Sequence, residues 1–175
     1  DLTQRTTSLL DVHELSTAIS KIVAESLGIL SVNVWLLDDT QQRLTLAGST
    51  ALSSAQAKQL EKAGKSAPEF IRFVREQHRA VDLEDNNLEW PRAIMRAGAD
   101  AFRESRLRYA IGLHGGGGLV GVMTLNDDRV GHETLSTEDL VLLETLAAQL
   151  AASLLNLKLS ARLRQAGQVE AFQTV

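Results

Sequence analysis

Leu107-Arg108-Tyr109-Ala110-Ile111-Gly112-Leu113-His114, then Gly115-Gly116-Gly117-Gly118, then Leu119-Val120-Gly121-Val122-Met123-Thr124-Leu125-Asn126 is the stretch that decides the fold. Two apolar runs of strand length flank residues that tolerate positive φ, which is the pattern of a β-hairpin. The competing reading is a phosphate-cradling loop. Such loops join a strand to a helix N-terminus and often carry a lysine. Here the glycines join two strands and no lysine follows, so the stretch reads as a turn.

Working outward toward the C-terminus, a polar loop (Asp127 to Leu135) leads to Ser136-Thr137-Glu138-Asp139. This is a capping-box variant: the Ser136 hydroxyl accepts from an orphan amide while Asp139 reaches back. The helix it opens should run to at least Gln165, roughly 45 Å at 1.5 Å per residue. Its first half, to about Leu150, is apolar enough to close a core. Leu143, Ala147, Leu150, Leu154, Leu157 and Ala161 recur at the alternating spacing of a coiled-coil seam, so Leu143, Leu150, Leu154 and Leu157 are the expected dimer contacts.

Working outward in the other direction, Ser31 to Asp38 and Arg43 to Ser49 form a first hairpin around Asp39-Thr40-Gln41-Gln42. Before it lies a helix from about Thr7 to Leu27, with an apolar stripe of Leu15, Ala18, Ile19, Ile22, Val23 and Leu27 and with Gly28 placed to end it. The middle is less regular. Ser54 to Gly64 and Pro68 to His78 read as short helices, Ala80 to Leu83 as an edge strand, and Leu88 to Arg103 as an irregular helix after the break at Asp85-Asn86-Asn87. The order implies an α+β domain. Its mainly antiparallel sheet, of about five or six strands, has the terminal helices on one face and an irregular helical insert over the other.

Composition narrows the function. With 175 residues, one domain with helical extensions is the natural count. A net charge of -4 argues against nucleic acid, which calls for a basic patch. No run of apolar residues approaches the length of a membrane span, and no signal-peptide pattern opens the chain. The absence of cysteine excludes disulfides, thiolate chemistry, Cys-ligated metal and any pigment attached through cysteine.

Four stretches carry a family resemblance: Leu10-Asp11-Val12-His13-Glu14-Leu15, Val34-Trp35-Leu36-Leu37-Asp38-Asp39, Leu119 to Asn126, and Leu135-Ser136-Thr137-Glu138-Asp139-Leu140. Together they resemble a GAF domain over about residues 8 to 160. The resemblance implies a non-catalytic module for small-molecule sensing and dimerisation ahead of a signalling output. The tail from Ala161 to Val175 looks like the linker entering the dimerisation and phosphoacceptor helices of a sensor histidine kinase. It is similar in particular to membrane-bound kinases of bacterial exopolysaccharide and PEP-CTERM sorting systems. The resemblance therefore divides the chain into a GAF domain at 1–160 and a linker helix at 161–175. It implies a cytoplasmic domain whose parent sits in the bacterial inner membrane and works with a response regulator, the domain forming a homodimer through its terminal helices. Alternatives are the same module ahead of a cyclic-dinucleotide enzyme or transcription activator, or a degenerate domain that only dimerises.

Candidate chemistry is sparse. His13-Glu14-Leu15-Ser16-Thr17-Ala18 resembles a kinase phosphoacceptor box, but it also fits the first helix in register. His13, His78, His114 and His132 show no pair at ligand spacing, and His132-Glu133 lacks the second histidine of a zinc-protease motif. No metal or cofactor is expected. The family resemblance implies a small-molecule pocket between the sheet and the insert, with Trp35, Tyr109 and Thr124 from strands and Trp90, Arg92 and Arg96 from the insert as candidate lining. Alternation puts Trp35 and Leu37 on one face and Val34 and Leu36 on the other without saying which face is the pocket. The chain lacks the Asn-Lys pair of cyclic-nucleotide-binding members, since Asn126 is followed by Asp127.

Overall fold

The computed structural model describes residues 2–29, 31–41, 43–50, 68–83, 107–126 and 135–173. The expected helices at 54–64 and 88–103 and the 127–134 loop lie outside them. The described elements are α1 (Leu2–Leu27), β1 (Ser31–Leu37), β2 (Leu44–Ser49), α2 (Pro68–Glu76), β3 (Val81–Asp82), β4 (Leu107–Gly115), β5 (Gly118–Asn126) and α3 (Thr137–Gln173). The five strands form one antiparallel sheet in the order β2-β1-β5-β4-β3.

Local chemistry sets each boundary. Gly28 takes φ +64°, and the Ile29 amide donates back to the Ala24 carbonyl at 3.1 Å, a Schellman ending for α1. Gly116 and Gly117 both have positive φ (63° and 79°), which a two-residue turn of matching twist requires, and Gly115 pairs with Gly118 across it. At the start of α3 the Asp139 amide donates to Ser136 Oγ at 3.1 Å, and the Ser136 amide to Asp139 Oδ2 at 3.4 Å. That is the reciprocal cap the sequence called for.

The faces of the sheet are chemically different. Val32, Val34, Ile111, Leu113, Met123 and Leu125 point toward the terminal helices, where Val23 and Leu27 of α1 and Leu143, Ala147, Leu150, Ala151 and Leu154 of α3 meet them. On the opposite face Trp35, Leu37, Leu44, Ala110 and Val122 pack with Phe70, Ile71 and Val74 of α2. Burying a Leu, Val or Phe side chain contributes about 1.5–3 kcal/mol, so the larger helix-side cluster is the main source of stability.

Two helical expectations need correction. In α1 the inward positions at the β2 crossing are Ser16 and Ser20, both fully buried, whereas Ala18 is exposed and Ile22 is 46% exposed. The reason is a close approach: a Cβ on Gly48 would sit 2.8 Å from the Ser16 backbone, so only small side chains fit between α1 and β2. Ser20 Oγ satisfies itself by donating to the Ser16 carbonyl at 2.7 Å. His13 Nδ1 lies 2.7 Å from the Ala47 carbonyl. A carbonyl can only accept, so that nitrogen carries the proton and His13 serves as a tie between α1 and β2.

The second correction concerns α3. Thr137–Ala166, whose most apolar 18-residue window has a mean hydropathy of 1.7, is the one described helix long and apolar enough by length and composition to cross a membrane. Isolated polar residues such as Glu144, Gln149 and Asn156 break its apolar runs without offsetting the leucines and alanines. In this fold Leu143, Ala147, Leu150, Ala151 and Leu154 of that helix cover the sheet, and its other leucines and alanines are partly or fully exposed.

Gly121 pairs with Leu36 at the centre of the sheet, where an added Cβ would collide with the Trp35 carbonyl oxygen. Gly121→Ala should therefore cost about 3 kcal/mol, the upper end of overpacking. Urea unfolding should show a lowered midpoint at unchanged slope.

Candidate functional site

The face opposite the terminal helices carries a buried polar cluster, unusual in a sheet otherwise lined by aliphatic residues. Alternation along β1 brings Asn33, Trp35 and Leu37 to this face, and along β5 it brings Val122, Thr124 and Asn126. The β1–β5 register pairs Asn33 with Thr124 and Trp35 with Val122, so the long side chains meet as diagonal neighbours. The Trp35 indole N–H donates to Thr124 Oγ1 at 2.9 Å. Asn33 Nδ2 donates to Asn126 Oδ1 at 3.2 Å, and Ser49 Oγ donates to Asn33 Oδ1 at 2.7 Å. Asn33 is completely buried, Thr124 is 2% exposed and Asn126 is 6% exposed. Buried amides and hydroxyls in such numbers impose directional order on a surface that could have been purely apolar.

A charged group lies nearby. Arg108 occupies the β-bulge between Leu107 and Tyr109 and is the one buried cation among the described residues. Its Nε lies 3.9 Å from Asp82 on the edge strand, and its guanidinium carbon 5.3 Å from the centre of the Tyr109 ring. Beyond α2, the His114 ring lies against His78 with centroids 4.8 Å apart, and its Nε2 donates to the Gln77 carbonyl at 2.8 Å. Among the described residues no group of three or more histidines, acids or cysteines is placed to hold a metal ion.

The fold has known counterparts. The GAF domain sequence profile matches residues 10–154. This chain belongs to the GAF domain family. Its fold is similar to a domain from Sinorhizobium meliloti described as that of a two-component sensor histidine kinase, with TM-score 0.62, 16% identity, and 88% of this chain and 97% of that one covered. It is also similar to GAF3 of Slr1393 from Synechocystis in its photoproduct state (TM-score 0.64, 16% identity, 89% and 98% covered). A further match is the GAF domain of a phosphoenolpyruvate-protein phosphotransferase from Coxiella burnetii (TM-score 0.58, 21% identity, 94% of each chain). At these identities the likeness shows the fold alone. No curated protein matches the sequence.

Within this GAF domain the expected pocket residues separate. Trp35 and Thr124 come together and bond to each other. Tyr109 does not join them. The bulge before it pairs Tyr109 with Leu125, which turns its ring into the helix-side core, and its Oη accepts the Leu135 amide at 3.1 Å beside the α3 cap. Trp90, Arg92 and Arg96 lie outside the described residues. Asn33, Asn126, Ser49 and Arg108 were not singled out from sequence. The available signal was a polar residue recurring at period two inside an apolar strand, as in Asn33 and Trp35 or Thr124 and Asn126.

The leucines expected at a dimer seam are placed differently. Leu143, Leu150 and Leu154 are 0%, 1% and 2% exposed in the single chain and face its own sheet, so they are not free to meet a second copy. Leu157 is half-buried and lines a groove of about 560 Å³ between α1 and α3, with Asp11, Glu14, Leu15, Asn156 and Ser160.

Trp35→Phe or Thr124→Val alone leaves one buried polar group without its partner and should cost about 1–3 kcal/mol. The double variant, which removes both groups, should be less destabilised than the two losses summed. A denaturation double-mutant cycle reads this directly, and strict additivity would show that the bond contributes nothing.

Proposed function

We propose that this GAF domain is the non-catalytic sensory module of a two-component sensor histidine kinase. It would take a small molecule on the Trp35–Thr124–Asn33–Asn126 face and relay the effect through α3. The observation that carries this reading is the buried polar cluster on the face away from α3, because a few fixed polar groups set among apolar and aromatic side chains are the chemistry by which small-molecule sites orient a ligand. The similarity to the domain described for the Sinorhizobium meliloti kinase supports the kinase context. The tail from 161 onward supports it as well, as a linker helix that continues past the last buried sheet contact. The membrane-bound parent linked to exopolysaccharide or PEP-CTERM sorting, and the response-regulator partner, belong to the same proposal and rest on sequence resemblance. A closed relay with no ligand is the second reading. It is favoured by the polar groups of the face bonding to one another (Asn33 to Asn126 and Ser49, Trp35 to Thr124). A thermal-shift and native-mass screen against cell metabolites separates the two: a bound metabolite whose affinity falls in Asn33→Leu supports the sensor, and no binder at millimolar concentration supports the relay.

Dimerisation through the terminal helices belongs to this proposal, but with a different seam. Val141, Thr145, Ala148, Ala152, Leu159 and Leu163 lie on one line of α3, opposite its buried face, and all are exposed; Val141, Leu159 and Leu163 are 57%, 44% and 72% exposed. Their spacing of three, four or seven residues is what a second helix needs for knobs-into-holes packing. Ala152→Glu or Leu159→Glu should weaken self-association while the far-UV circular dichroism stays unchanged. Leu150→Glu should unfold the domain by burying a carboxylate in the core. Sedimentation of Ala152→Glu and Leu159→Glu at the wild-type mass of a dimer would remove this seam.

A further inference from the structure

We propose that the β1–β2 turn is a transmission element that ties α2, on the ligand face, to the outgoing part of α3. The described residues of the turn are tied together through Asp38. Asp38 uses its carboxylate to accept from Thr40 Oγ1 at 2.6 Å and from the Arg43 amide at 3.1 Å. Its own amide donates to the Arg43 carbonyl at 3.0 Å, and its carbonyl accepts from the Gln41 amide at 3.0 Å. Gln41 sits at φ 63°, in the left-handed region. That conformation accompanies an arrangement in which neighbouring residues of the turn serve two different helices.

Arg75, in the last turn of α2, donates to Gln41 Oε1 at 3.0 Å. Asp39 receives Lys158 Nζ at 3.1 Å and Arg162 Nη2 at 3.3 Å. Lys158 and Arg162 are four residues apart and so share one face of α3. They lie just past Leu154, the last α3 residue buried against the sheet among the described side chains. Arg162 is the most C-terminal described residue that makes a polar contact with the rest of the domain. The turn thus reaches α3 where the helix leaves the core, and it reaches α2 where that helix covers Trp35 and Val122.

The tie is weak by design of its surroundings. The Asp39 side chain is 80% exposed, so water and salt screen it, and it biases the helix rather than clamping it. A relay needs this: a contact that both packings of α3 can make or break. Lys158, and then Arg162, hold the Asp39 carboxyl below its ordinary value of 3.8. A lowered folded-state value means the contribution is present above the unfolded value and lost only as pH falls through the lowered one. The tie therefore persists across the neutral range.

This inference rests on α3 being the route by which a signal leaves. The test is hydrogen–deuterium exchange on the 175-residue chain, read in peptides covering 158–166. Asp39→Asn should speed exchange there several-fold, and 1 M NaCl should do the same to the wild type. Gln41→Asn shortens the amide while suiting positive φ, and Arg75→Ala removes the other partner. Neither residue touches α3, yet each should speed exchange in 158–166 by a smaller factor. Adding Gln41→Asn to Asp39→Asn should bring no further change. Wild-type exchange at 158–166 in both Gln41→Asn and Arg75→Ala overturns the proposal. So does acceleration that extends equally into β5, because the loss would then be global. Self-association and metabolite binding are measured separately, so failure of the turn would leave the sensor reading standing.

Discussion

The pairing of β1 with β5 is the constraint on which the rest depends. It joins segments as far apart as Asn33 and Asn126, 93 positions along the chain. At its centre Gly121 lies against the Trp35 carbonyl so closely that no side chain fits. Once this register is set, alternation sends Val32, Val34, Met123 and Leu125 to one side and Asn33, Trp35, Thr124 and Asn126 to the other. A slip of one residue would exchange the two sets and place amides against α3. Because the pairing is long-range, its loop-closure entropy has to be offset by the contacts that the paired strands gather on both faces.

From that division of faces comes the separation of roles. The helix-side face is apolar and gathers both terminal helices, so the long α3 is anchored by its first five turns and runs on beyond them. The opposite face sets an apolar patch, covered by α2, beside the buried Asn33, Thr124 and Asn126. The proposed ligand face and the outgoing α3 sit on opposite surfaces of a single sheet, so anything that couples the two surfaces passes through the sheet or around its edge. The β1–β2 turn lies at that edge, next to β2, the outermost strand on its side. Its contacts with α2 and α3 are polar and exposed, a different kind of interaction from the dry packing that holds the sheet to the helices.

Much of the fold was legible in sequence because it is locally encoded. The Ser136–Asp139 cap, the Gly28 ending and the four-glycine turn are decided by residues within a few positions of one another. The candidate site was legible only in part. Trp35 and Thr124 announce themselves as polar-bearing residues on central strands, but Tyr109 looks equivalent to them. One bulged residue, Arg108, reverses the face on which it lies. Asn33 and Asn126 are ordinary residues until the register makes them diagonal neighbours.

The sequence by itself determined the periodicities: two hairpins, two long terminal helices, and a repeating stripe of leucine and alanine on the second. Periodicity says that a face is apolar, since water rejects it wherever it lies, but not what covers it. The same alternating spacing serves a dimer seam and a helix laid on a sheet. Only the tertiary structure decided that Leu143, Leu150 and Leu154 cover their own sheet, leaving the opposite line of Val141, Ala152 and Leu159 exposed. The physical reason is that the sheet of the same chain, held close by a short connection, meets that face before a second molecule can.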